Sequence, residues 1–142
     1  MKPRRLRLFL YGTLQPQVGT GMGAWIAARL VASGPAIAPG RLYGIRSDKG
    51  WFPALVPARG AQNVRGTLCT LRLEAGDLTL LDRYEGVEYR RRTVPVRTAA
   101  GRRILAQTYE WRVGLPADAP PIVGGDFLGW LHTGHRRAFG GT

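Results

Sequence analysis

The chain has 142 residues, of which 44% are hydrophobic and 21% charged, a composition that excludes a disordered or low-complexity protein and fits one core better than two. A net charge of +12 raises nucleic acid or another anionic surface as a partner, but the arginines are scattered along the chain, so they describe a solvated basic surface rather than a phosphate-binding face. The only dense cluster, Arg90-Arg91-Arg92, falls on a predicted strand whose side chains alternate between faces.

Met1 to Arg7 has the basic character of a secretion signal, yet the apolar run Leu8-Phe9-Leu10-Tyr11 is too short for one. Leu6, Leu8 and Leu10 alternate with Arg5, Arg7 and Phe9, which predicts a first strand with one face in the core, ending at Gly12. Met22, Trp25, Ile26 and Leu30 then have helical spacing, and the helix is expected to stop at Gly34-Pro35. Arg29 interrupts the longest apolar stretch, so no segment reaches the length of a membrane span. Residues 37–45 read as a second strand, and the aromatic, proline-punctuated stretch 48–60 as an irregular wall.

Cys69, Leu71 and Leu73 alternate along a further strand, which makes Cys69 a core thiol. It is the only cysteine, so no internal disulfide forms, and a reducing, cytoplasmic compartment is expected. Residues 75–85 have helical spacing, with Gly86 as terminator. Two strands follow, 89–97 and 103–111, joined by Thr98-Ala99-Ala100-Gly101. In the Gly- and Pro-rich tail, Ile122-Val123 and 127–130 are expected to dock, and residues 135–142 to fray. The sum is a single α+β domain spanning 1–142, with its core at about 6–130 and monomeric or a small homo-oligomer.

Two features carry chemistry. Strand one runs into Tyr11-Gly12-Thr13-Leu14, where Gly12 permits a sharp turn or a close approach, and successive N–H groups can hold a carboxylate or oxyanion; a plain strand-to-loop turn has the same signature. Glu85 lies four residues after Leu81 and seven after Leu78, on the stripe those leucines direct inward. Desolvation, the helix C-terminus and Asp82 one turn earlier all raise its pKa, while Arg83 and Arg90 to Arg92 oppose the rise. His132 and His135 have HxxH spacing without a third ligand, so no metal site is expected.

The order of Leu10-Tyr11-Gly12-Thr13-Leu14, then Leu80 to Gly86, then Tyr89-Arg90-Arg91 resembles the gamma-glutamylcyclotransferase-like (AIG2-like) family, as do the weaker stretches 52–55, 106–111 and 122–127. The resemblance covers about residues 6–130. It implies a compact mixed β-barrel with peripheral helices, and no cofactor. It further implies that Tyr11, Gly12, Thr13 and Leu14 bind the glutamyl part of a substrate, that Glu85, not Glu88, is the acid/base, and that Tyr109 lines the cavity. The implied reaction releases 5-oxoproline and an amine from a γ-glutamyl amide. A noncatalytic small-molecule binding module of the same fold, and an RNA-associated basic protein, are the competing readings.

Overall fold

The computed structural model describes residues 4–15, 21–58 and 62–139. Its elements, in chain order, are β1 (Arg4–Leu10), α1 (Met22–Ala28), β2 (Leu30–Pro39), β3 (Arg41–Ser47), β4 (Gly50–Val56), β5 (Asn63–Leu73), α2 (Asp77–Glu85), β6 (Tyr89–Thr98), β7 (Arg103–Trp111) and α3 (Phe127–Thr133). Five strands close into a barrel in the order β1-β5-β2-β6-β7, and β3 pairs with β4 in a separate two-stranded sheet. All barrel neighbours are antiparallel except β1 and β7, whose parallel contact at Leu8 and Gln107 closes the ring. The fold is the α+β barrel with peripheral helices that the family resemblance implied.

Closure buries both faces of β1. Phe9 packs with Ala36, Val64, Val94 and Ala106, one residue from each of the other barrel strands, and so fills the interior. Leu8 and Leu10 point outward against a second cluster that holds Cys69, Leu71, Ile26 of α1 and Leu81 of α2. The expectation of a single buried face for the first strand is therefore corrected, because helices cover what would otherwise be the solvent side. Cys69 belongs to that outer layer, fully buried, and burial pushes its thiol pKa up to about 12, which leaves it unreactive.

Three boundaries differ from the sequence reading. α1 ends at Ala28, and Gly34-Pro35 lies within β2, because Leu30 pairs with Leu71 on β5 and the long-range ladder wins over helical continuation. Pro35 is tolerated there because β2 faces β6 only at Ala36 and Ile37. The strand expected over 37–45 is split at Gly40, whose φ of 148° suits glycine and whose Cβ would meet the Val56 carbonyl at 2.9 Å. The stretch expected to be irregular holds β4, with Pro53 opposite Gly44 and, among the described residues, clear of the single bridge that β4 makes on its other side at Trp51.

The tail docks rather than frays as far as Phe139. Trp51 N–H donates to the Arg137 carbonyl (2.8 Å) and Phe139 N–H to the Trp51 carbonyl (2.6 Å), so β4 finds a third strand-like neighbour there. Residues 140–142 of the expected frayed end lie outside the described residues. Ile122 is buried as expected, whereas Val123 is 94% exposed. No helix among the described residues is long and apolar enough to cross a membrane.

Candidate active site

The loop after β1 is a tight turn: the Gln15 N–H and side-chain amide both donate to the Gly12 carbonyl (3.3 and 3.0 Å), and Thr67 of β5 donates to Gln15 Oε1 (2.8 Å). Gln15 thus pins the loop to the barrel, a role the sequence reading missed. Among the described residues, the N–H groups of Thr13 and Leu14 have no backbone acceptor, which leaves them to a ligand or water. Gly12 is required by packing, since a Cβ there would stand 2.9 Å from Cγ of Pro53 in β4. The close approach expected at Gly12 is thus at least partly to protein. Tyr11 is buried, and its hydroxyl donates to the Tyr109 carbonyl, which locks β1 to β7 at the loop's base.

α2 lays Leu81 into the outer cluster, with Leu78 packed beside it, and the same stripe carries Glu85 at the helix's last turn. Gly86 follows with a φ of 94° and terminates the helix. Glu85 is partly buried, and desolvation first, then the negative charge of Asp82, push its carboxyl up to about 7. Two of the arginines that could have opposed this shift are engaged elsewhere. Arg91 holds Asp82 through Nε at 2.9 Å and also donates to Gln107 Oε1, while Arg92 pairs with Glu110 at 3.5 Å. Tyr109 donates its hydroxyl to Asp82 Oδ1 at 2.6 Å, so Gln107, Arg91, Asp82 and Tyr109 form one network next to Glu85.

Loop and carboxylate meet in a cavity of about 380 Å³. Tyr11, Gly12, Thr13, Leu14, Glu85 and Tyr109 all line it. The remaining walls come from Phe9 and Leu10 of β1, from Trp51, Phe52 and Pro53 of β4, from Tyr84, Glu88 and Tyr89 around the end of α2, and from Phe127 and Phe139 of the tail. Tyr89 donates its hydroxyl to the Pro53 carbonyl and stacks edge-on against Trp111 at 5.3 Å, which fixes one corner. Phe139 had no sequence signal beyond being aromatic, because only the tail's docking on β4 brings it here. His132 and His135 are apart from the cavity, His132 on α3 and His135 just after it, and no group of three potential metal ligands occurs among the described residues.

Residues 8–129 match the family described as Gamma-glutamyl cyclotransferase, AIG2-like. The chain belongs to that family. No curated protein matches it. Among solved structures, an AIG2-like protein from Mus musculus superposes with a TM-score of 0.66 at 18% identity, over 87% of this chain and 88% of that one. A protein from Arabidopsis thaliana gives 0.65 at 23% identity, covering 92% and 85%. A gamma-glutamyl cyclotransferase gives 0.55 at 20% identity, covering 84% and 73%. At these identities the likeness is one of fold.

The raised pKa of Glu85 depends partly on Asp82, which gives a first prediction. Asp82→Asn removes a negative charge beside Glu85 and releases Arg91, so the carboxyl pKa falls. An NMR titration of the Glu85 carboxyl should then read a midpoint roughly one pH unit lower. A midpoint unmoved by the substitution would show that desolvation alone sets the value.

Proposed function

We propose that the protein is a cyclotransferase that cleaves γ-glutamyl amides by intramolecular aminolysis, with Glu85 as general acid/base. The observation that carries this reading is a carboxylate with a pKa of about 7 in the same cavity as the Tyr11-to-Leu14 turn. At neutral pH such a group is about half ionised, the condition in which it serves both as base and as acid.

The substrate's α-ammonium gives a proton to Glu85, and the freed amine attacks the γ-carbonyl carbon. The new C–N bond closes a five-membered ring and the carbonyl oxygen becomes an oxyanion. The Thr13 and Leu14 amides are the donors available to the substrate's carboxylate or to that oxyanion, and loss of one oxyanion donor typically costs about 3 kcal/mol of barrier. Collapse expels the original amide nitrogen, which takes the proton back from Glu85, while the ring nitrogen gives up its second proton to become the lactam N–H and that proton passes to the released amine, which departs as an ammonium. The products are 5-oxoproline and a free amine, and atoms and protons balance without a cofactor. Tyr109 and Arg91 position Asp82 and through it tune Glu85.

With its lone thiol buried, the protein suits a reducing, cytoplasmic setting. We read its substrate as a free small molecule and its basic exterior as solvated, not as a nucleic-acid surface. The test is to incubate the protein with a panel of γ-glutamyl amides and quantify 5-oxoproline and amine, expected in equal amounts. Binding of the amides without either product would favour the noncatalytic module.

A further inference from the structure

The cavity is chemically unlike the rest of the molecule. The chain carries 21 Lys and Arg against 9 Asp and Glu, yet the described cavity lining has two glutamates, Glu85 and Glu88, and no arginine, lysine or histidine. Arg46 approaches the Trp51 ring at 5.8 Å but does not enter the lining. The walls are mostly aromatic, and two of the rings stay open to solvent, Tyr84 at 55% and Phe139 at 48% exposure. Phe139 meets Phe52 edge to face at 5.5 Å, and Phe52 in turn leans on Trp111 at 5.9 Å.

Large aromatic rings left half-exposed around a cavity are surface that an apolar ligand covers. A leaving group with its own carboxylate would find repulsion from Glu88 and, in the described lining, no cation to pair with. The loop amides cannot serve it either, because the glutamyl portion uses them in the proposed reaction.

Resting on the cyclotransferase reading for the glutamyl half, we propose that the other half of the cavity takes an apolar, aromatic amine without a carboxylate, and that Phe139 is the residue that determines this preference. Phe139 is suited to the role because its position is set by the tail: the Phe139 N–H donates to the Trp51 carbonyl, so the ring is carried by β4 and not by a free end.

The test compares γ-glutamyl amides of phenethylamine, butylamine, 1,4-diaminobutane and alanine in two readouts, 5-oxoproline release by the wild-type protein and calorimetric binding to the Glu85→Gln protein. The expected order is phenethylamine above butylamine, with the alanine amide weakest in both. Phe139→Ala should cut the phenethylamine-to-butylamine ratio of kcat/KM by about fivefold, and Phe139→Leu by less. Equal kcat/KM for all four amides, a preference for the alanine or diamine amide, or a ratio unmoved in Phe139→Ala would overturn the inference while leaving the cyclotransferase standing. The expected binding order without any 5-oxoproline would support the inference and overturn the reaction.

Discussion

Replacing Glu85 by glutamine should reduce turnover at saturating substrate by about 10² to 10⁴ or more, the usual contribution of general acid/base catalysis, while leaving the barrel folded. Glutamine keeps the size of the side chain and most of its hydrogen bonds but cannot accept the substrate's proton. The same substitution should stabilise the protein, and the sign follows from linkage. The carboxyl is raised from 4.5 to about 7 in the folded state, so the native protein holds this proton more tightly than the unfolded chain does. Stability therefore falls as pH rises between those values, and the full penalty is present above about 7. A shift of that size corresponds to about 3 kcal/mol, and water entering the open cavity reduces it, so a gain of about 1–2 kcal/mol is expected for Glu85→Gln at pH 8 and none at pH 4. Thermal unfolding at the two pH values reads this directly. Near-native turnover in the variant would move the acid/base role to Glu88, which lines the same cavity.

Gly12→Val should nearly abolish activity through displacement of the loop. The first side-chain atom already meets the Pro53 ring at 2.9 Å, and a proline in a paired strand has little freedom to retreat. The loop must swing from β4, carrying the Thr13 and Leu14 amides away from Glu85, and an error of an ångström in such groups costs about 10² in rate. Overpacking should cost about 1–3 kcal/mol of stability, little enough for the barrel to remain folded. Gly12→Ala should show the same defects in weaker form. Full activity in a stable Gly12→Val protein would mean that the loop's position does not matter to the substrate.

The parts of this architecture legible in the sequence were those set by local periodicity. The alternation of Leu6, Leu8 and Leu10, the 78–81–85 stripe of α2 and the paired strands around Thr98 to Gly101 each carry their own signal, and the stripe aimed Glu85 inward while the family resemblance supplied its role. What escaped was set by partners distant in sequence. Pairing of Leu30 with Leu71 shortened α1, β4 became a strand because β3 and the tail flank it, and the buried outward face of β1 required α1 and α2. Within the site, the competition between Asp82 and the arginines over Glu85 was undecidable from spacing, because only the fold shows Arg91 turned to Asp82 and Gln107. Gln15 and Phe139 carried no local mark of their roles.

The central claim is that the γ-amide is opened by the substrate's own amine and not by water. The direct measurement is mass spectrometry of the products formed from a γ-glutamyl amide in ¹⁸O-enriched water, with wild-type and Glu85→Gln proteins side by side. The reaction proposed for this cavity yields unlabelled 5-oxoproline and one equivalent of amine from the wild-type protein, and far less of both from the variant. Glutamate carrying ¹⁸O as the primary product would show hydrolysis and contradict it.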